Sequence, residues 1–141
     1  MKRTMSVAAV AACLSLAACG GSSSASEEKT QSGPSTFVAK GTVTVVGSGV
    51  TGDNIKCHGY RGYDDMQEGA QVKVAVDGKT VGIGSLKSGT SSDGGYSCKF
   101  GFEVRDVPSG NKFYSVTVTH RGSIDYKEDE LKSGVSLQLG S

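Results

Sequence analysis

The chain has 141 residues, of which 36% are hydrophobic and 6% aromatic, with no Trp, 21 Gly and a formal charge of +1. That length holds one folded domain, and a charge so near zero supplies neither a basic field for nucleic acid nor an acidic solvating tail. The core must come from Val, Leu, Ile, Phe and Tyr, while the glycines, spread without a collagen period between Val-rich runs, read as turns between strands.

The first element is a leader. "MKR" supplies a positive start, and "MSVAAVAACLSLAA" is an apolar stretch of 14 residues, too short to cross a bilayer as a helix and suited to an export signal that is cut away. It ends on "LAAC", Leu16 to Cys19, which resembles the lipobox of bacterial lipoproteins. In that family the chain is cut before the cysteine, whose thiol takes a diacylglyceryl group and whose amine is usually acylated. The resemblance implies that Cys19 becomes the first residue and holds the protein to the outer, extracytoplasmic face of the cell membrane. Two acyl chains suffice, since each buried CH₂ contributes about 0.8 kcal/mol. An ordinary secretory leader with an A-x-A-like cleavage site and a chance cysteine is the alternative. The "GGSSSASEEKTQSG" that follows reads as a flexible tether. The chain therefore divides into a leader at 1–18, a lipidated tether at 19–34 and a folded domain at 35–141. Loss of Lys2 and Arg3 with the leader leaves 13 basic against 14 acidic residues and a net charge of −1.

With Cys13 in the leader and Cys19 lipidated, Cys57 and Cys98 remain. A disulfide between them suits an oxidising compartment, and closing the 40 intervening residues would contribute roughly 4 kcal/mol by the chain-entropy argument. Zinc is the competing use of Cys57, His58, Cys98 and His120, which are suitable ligand types. Adjacent Cys57 and His58 point to opposite faces of a strand, which argues against it.

From Ser35 onward the pattern is β. "FVAKGTVTVVG" predicts a strand with Val43 and Val45 on one face; "GSGVTGDN" reads as a loop and "IKCHG" as a short strand. "YRGYDDMQEG" is irregular and polar. "AQVKVAVDGKTVGIGSL" predicts a hairpin turning at Asp77-Gly78, and "KSGTSSDGG" a glycine-rich loop. In "YSCKFGFEVR", Tyr96, Cys98, Phe100, Phe102 and Val104 share one face of what should be the central strand. "DVPSGN" reads as a turn, because Pro108 cannot donate to a ladder. "KFYSVTVTHRG" turns Tyr114, Val116 and Val118 inward; "DYKEDELKSG" reads as one helical turn or a charged loop, and "VSLQLG" closes the domain. Seven short strands predict an all-β fold, a small antiparallel β-sandwich, Ig-like or prealbumin-like, stapled by one disulfide.

"VKVAVDGKTVGIGSL", "YSCKFGFEVRDVPSGNKFYSVTV" and "HRG" together resemble the prealbumin-like sandwich of carboxypeptidase regulatory-like domains over residues 70–121. There a strand ends at an Asp/Gly turn, a "G-x-Y-x-F" strand leads to a "V-P-x-G" turn, and a "Y-x-V-x-V" strand follows. The whole chain also resembles small lipoproteins of actinobacteria, a likeness that implies no activity.

No catalytic constellation stands out. "GSGVTG" matches G-x-G-x-x-G, but "DNIKCHGYRG" after it has no helical period to present an N-terminus to a pyrophosphate. There is no G-x-S-x-G or H-E-x-x-H, and "KSG" at Lys87 and Lys132, similar to the K-T-G of penicillin-binding enzymes, has no nucleophile motif beside it. Asp64, Asp65 and Glu68 in one loop, and Asp125, Glu128, Asp129 and Glu130 in another, could offer oxygen ligands to calcium, although without EF-hand spacing. The better candidates are recognition residues on loops, namely Tyr60, Tyr63, Asp64, Asp65 and Tyr126 within 59–69 and 121–134. The expectation is a non-enzymatic binding or adaptor module without cofactor or metal, joined to the membrane by Cys19, with a possible protein partner in the cell envelope and no nucleic acid. An envelope structural or stability lipoprotein without a specific ligand, or a small lipid or ligand carrier, are the alternatives.

Overall fold

The computed structural model describes residues 33–140; the leader, Cys19 and the tether up to residue 32 lie outside the described residues, as does Ser141. In chain order the elements are β1 (Thr36–Val46), β2 (Val50–Gly52), β3 (Lys56–Gly59), β4 (Gln71–Val76), β5 (Lys79–Leu86), β6 (Gly89–Ser92), β7 (Ser97–Pro108), β8 (Tyr114–Val118), β9 (Ser123–Tyr126), α1 (Glu128–Ser133) and β10 (Val135–Leu139). The fold is mostly β, as expected, but its ten strands form a single curled sheet in the order β2-β3-β6-β7-β5-β4-β8-β9, with β1 on the other edge of β7 and β10 on β1.

Seven of these strands are the expected ones. The other three, β2, β6 and β9, have three or four residues each and occupy stretches read as loops or as a helical turn. Their strand form comes from neighbouring ladders: β2 and β6 carry no apolar alternation, and that of β9 is limited to Ile124 and Tyr126. The expectation of an antiparallel fold needs one correction. β10 runs parallel to β1, from Gly41 opposite Val135 to Val45 opposite Leu139, because α1 carries the chain over the end of the sheet after β9 and turns it back along β1. Pro108 is also not simply a turn residue: it is the last residue of β7 and faces Thr36.

β7 is central, as predicted. β1 runs along one of its edges, while the other is shared between β6 at Ser97–Lys99 and β5 at Phe102–Glu103. Cys98, Phe100, Phe102 and Val104 are buried and meet Val43, Val45, Val72, Val74, Tyr114 and Val116 in one core. Gly41 allows the closest approach there. A Cβ at that position would meet the Phe102 ring at 2.7 Å and the Val135 carbonyl at 2.6 Å.

One predicted core position is wrong in direction. Tyr96 is 58% exposed, because it still sits in the turn before β7 with helical φ of −77° and ψ of −23°, so Ser97 takes the buried place instead. Ile83 is 61% exposed, because β5 turns Gly82 and Gly84 toward β7. A Cβ on Gly82 would meet Val104 Cγ1 at 2.7 Å. The strand lies close to β7 on its glycine face.

The Cys57–Cys98 disulfide is present, with Cα atoms 5.7 Å apart. The two cysteines belong to β3 and β7, which lie on opposite sides of β6. Two strand spacings in a flat sheet amount to about 9.5 Å, so the sheet folds sharply over β6 at this point. Gly89 of β6 makes the fold possible, since a Cβ there would meet Cys98 Sγ and the Phe100 ring at 2.7 Å.

The end of the sheet holding Thr36 and Pro108 is tied by a polar network. The Tyr114 hydroxyl donates to the Pro108 carbonyl at 2.8 Å and accepts from the Asn111 N–H at 3.2 Å. It also lies 3.0 Å from Glu128 Oε2, which accepts the Gly110 N–H at 2.7 Å, while Lys132 pairs with Glu128 one helical turn on. The Lys132 ammonium, the Gly110 N–H and the Tyr114 hydroxyl together lower the Glu128 carboxyl from 4.5 to about 2. A carboxyl depressed on folding stabilises the fold above its unfolded value and loses that stabilisation as pH falls toward the folded value. Urea midpoints are therefore expected to drop between about pH 4.5 and about pH 2, and Glu128→Gln should flatten that drop. An unchanged acid profile in Glu128→Gln would show that the network does not hold this end.

Candidate functional site

The polar run 60–69 is organised from within. The Tyr60 N–H donates to the Gly49 carbonyl at 2.8 Å, Met66 N–H to the Tyr63 carbonyl at 2.8 Å, and Gly59 N–H to the Met66 carbonyl at 2.7 Å. Asp64 accepts the Gly62 N–H at 3.0 Å, a local hydrogen bond from two residues back. Met66 is fully buried in the core. The run is thus a folded cap rather than a free loop.

Asp65 and Tyr63 bind the cap to the segment after β8. Asp65 accepts from the Thr119 hydroxyl and from the Arg121 guanidinium, which also donates to the Gly62 carbonyl at 2.9 Å. Partial burial raises the Asp65 carboxyl, but the Thr119 and Arg121 hydrogen bonds outweigh it and hold the group below its ordinary value. The Arg121 guanidinium carbon lies 4.6 Å from the centre of the Tyr63 ring, and the ring also packs on Gly49, where any Cβ would strike it. Gly49 of "GSGVTG" thus has a packing role. That segment is a single 3-10 turn leading into β2, with no helix after the last glycine. Thr119 and Arg121 were not singled out from the sequence. They stand 54 and 56 residues from Asp65, and no local pattern marks a partner at that range.

The structure separates the candidate recognition residues. Tyr126 lies opposite Tyr114 on the β8–β9 ladder, five residues along β8 from Thr119 and so about 17 Å from the Asp65 cluster. Burial and the Glu130 carboxylate push its phenol up. Tyr60 is 44% exposed, with the Arg61 guanidinium 5.4 Å from its ring centre. Ile55 and Tyr96 are also exposed at this end of the sheet, where β7 begins. Of the five candidates, Tyr60 and Asp64 are the exposed ones, whereas Tyr63, Asp65 and Tyr126 are half-buried.

The acidic residues are engaged one at a time. Asp125 accepts from the Ser115 hydroxyl and Glu130 accepts the Lys127 N–H at 2.7 Å, while Glu128 serves the network described above. Among the described residues no three His, Cys, Asp or Glu side chains gather where they could hold a metal ion. Cys57 is buried in the disulfide and the neighbouring His58 is exposed on the other face. His120 is exposed as well.

An apolar cleft of about 250 Å³ lies between β9 and β10, lined by Val43, Val118, Arg121, Ile124, Leu137 and Leu139. No ladder joins these two strands among the described residues. Its volume falls below the roughly 300–1,000 Å³ of ordinary small-molecule pockets. No protein family, curated protein or solved structure matches the chain.

Proposed function

We propose that the chain is an extracytoplasmic lipoprotein, anchored to the outer face of the membrane through acylated Cys19, whose folded part is a non-enzymatic binding or adaptor module. The observation that carries the reading is "LAAC" at 16–19 in its context, after a basic start and an apolar stretch and before a Ser/Gly-rich segment. The disulfide supports it, since such bonds persist in oxidising compartments. The strand order of the β4–β5 hairpin, β7, the turn after Pro108 and β8 supports the likeness to a prealbumin-like sandwich, which belongs to the same proposal. The exposed Tyr60, Ile55 and Tyr96 favour recognition at the end of the sheet where β7 begins, because exposed aromatic and aliphatic side chains beside an arginine are the usual anchors of a protein interface.

The test is metabolic labelling with a palmitate analogue, followed by crosslinking and pull-down from intact membranes, comparing the wild type with Cys19→Ala and Tyr60→Ala. The expected result is a labelled wild type, an unlabelled Cys19→Ala, and one envelope protein enriched with the wild type and lost with Tyr60→Ala. An unlabelled wild type overturns the lipoprotein reading. Labelling without any enriched protein overturns the adaptor and favours a structural role in the envelope.

A further inference from the structure

β1 starts at Thr36, opposite Pro108, and ends at Val46, opposite Ser97, so the chain comes into the domain at the Pro108 end of the sheet. The loop after β7 lies against the incoming chain, with the Ser109 N–H donating to the Ser35 carbonyl at 2.8 Å. That loop owes its shape to Asn111 and Tyr114, through their hydrogen bonds to each other and to the Pro108 carbonyl. Between them Phe113 is 47% exposed, with the Lys112 ammonium 5.5 Å from its ring centre. Neither Lys112 nor Phe113 takes part in the hydrogen bonds that shape the loop. Val38, 42% exposed, lies on β1 at the same end.

We propose that this end of the domain, led by Phe113, rests on the lipid surface that Cys19 anchors to; the inference stands on the lipoprotein reading above. Chain length carries it. Cys19 precedes Gly33 by 14 residues, and on the tether reading of the sequence that length would have a root-mean-square span of roughly 20 Å. β1, with its eleven residues, places the opposite end of the sheet roughly 33 Å further off. The Pro108 end is the one held within reach of the headgroups. An aromatic ring beside a long-stemmed ammonium suits that boundary, where the ring enters the apolar layer and the ammonium stays among phosphates. Lys79, Arg105, Lys112, Lys127 and Lys132 lie at this end with Asp77, Asp106, Glu128, Asp129 and Glu130. The charges balance, so the contact is shallow, led by the ring and only weakly sensitive to salt.

The absence of Trp makes the test direct. The full acylated chain, carrying either Phe113→Trp or Tyr96→Trp, is reconstituted into phosphatidylglycerol vesicles with or without brominated acyl chains. Both substitutions fall on exposed positions, so folding is not at stake. Phe113→Trp is expected to emit to the blue of Tyr96→Trp and to lose intensity in brominated vesicles, while Tyr96→Trp is unaffected. Equal emission and no quenching in a chain that still floats with the vesicles overturns the docking and leaves the anchor standing. A wild-type chain that neither takes the acyl label nor floats overturns both.

Discussion

Reduction of the Cys57–Cys98 disulfide is expected to lower the free energy of unfolding by about 4 kcal/mol, a loss visible as a large fall in the urea midpoint under reducing conditions. The loop it closes spans 41 residues of sequence separation, which sets that entropic figure. A domain of this size has a total stability of roughly 5–15 kcal/mol, so the bond accounts for about a quarter of it or more. Its local setting points the same way. β3 is joined to β6 by only Lys56 opposite Thr90 and Cys57 opposite Gly89, and β2 hangs from β3 alone. Without the bond, two ladder pairs and the few hydrogen bonds at Ile55, Gly59 and Tyr60 must hold β2 and β3 in place. Amide exchange should therefore accelerate first at Val50–Gly59 while β1, β7 and β8 remain protected. The double substitution Cys57→Ser with Cys98→Ser should reproduce the effect without reductant. A midpoint unchanged in both would mean that the β2–β3 flap is held by its packing, and the chain-entropy account would fail here.

Much of the sheet was legible in the sequence because its long strands bury one face and expose the other. Val43 with Val45, Cys98 to Val104, and Tyr114 to Val118 alternate in the strand period, and burial follows that alternation. The Asp77-Gly78 turn was readable for a different reason, since both residues take positive φ and Asp-Gly tolerates it. What escaped was set by partners distant in sequence. β2, β6 and β9 are short and become strands by pairing with β3, β7 and β8. In β5 glycines, not Ile83, face β7, and nothing in the local pattern marks that. At the candidate site, Tyr63 and Asp65 were singled out for recognition, but Thr119 and Arg121, which engage them, lie more than 50 positions away. Composition alone offered no way to tell a recognition loop from a cap.

Met66 shows the same difficulty in a single residue, and its replacement by Ala is expected to cost about 2–5 kcal/mol. It lies in a polar run of the domain, "YRGYDDMQEG", yet it is completely buried and among the largest side chains of the core. Its backbone closes the cap at both groups, accepting from Gly59 and donating to Tyr63. Removing the thioether would leave a cavity beneath residues 59–69 that the Asp65–Arg121 pair, half-exposed at the rim, is poorly placed to collapse. Met66→Leu, which preserves volume, should cost less than about 1.5 kcal/mol. Urea unfolding of the two variants separates packing from backbone effects, because both leave the Gly59 and Tyr63 hydrogen bonds available. If Met66→Ala unfolded with the wild-type midpoint, the cap would not be part of the core, and residues 59–69 would have to be treated as a mobile recognition loop after all. The predicted loss makes them instead a rigid mount, on which Tyr60 is displayed at one fixed position and the Asp65–Arg121 pair serves to hold the mount to the sheet.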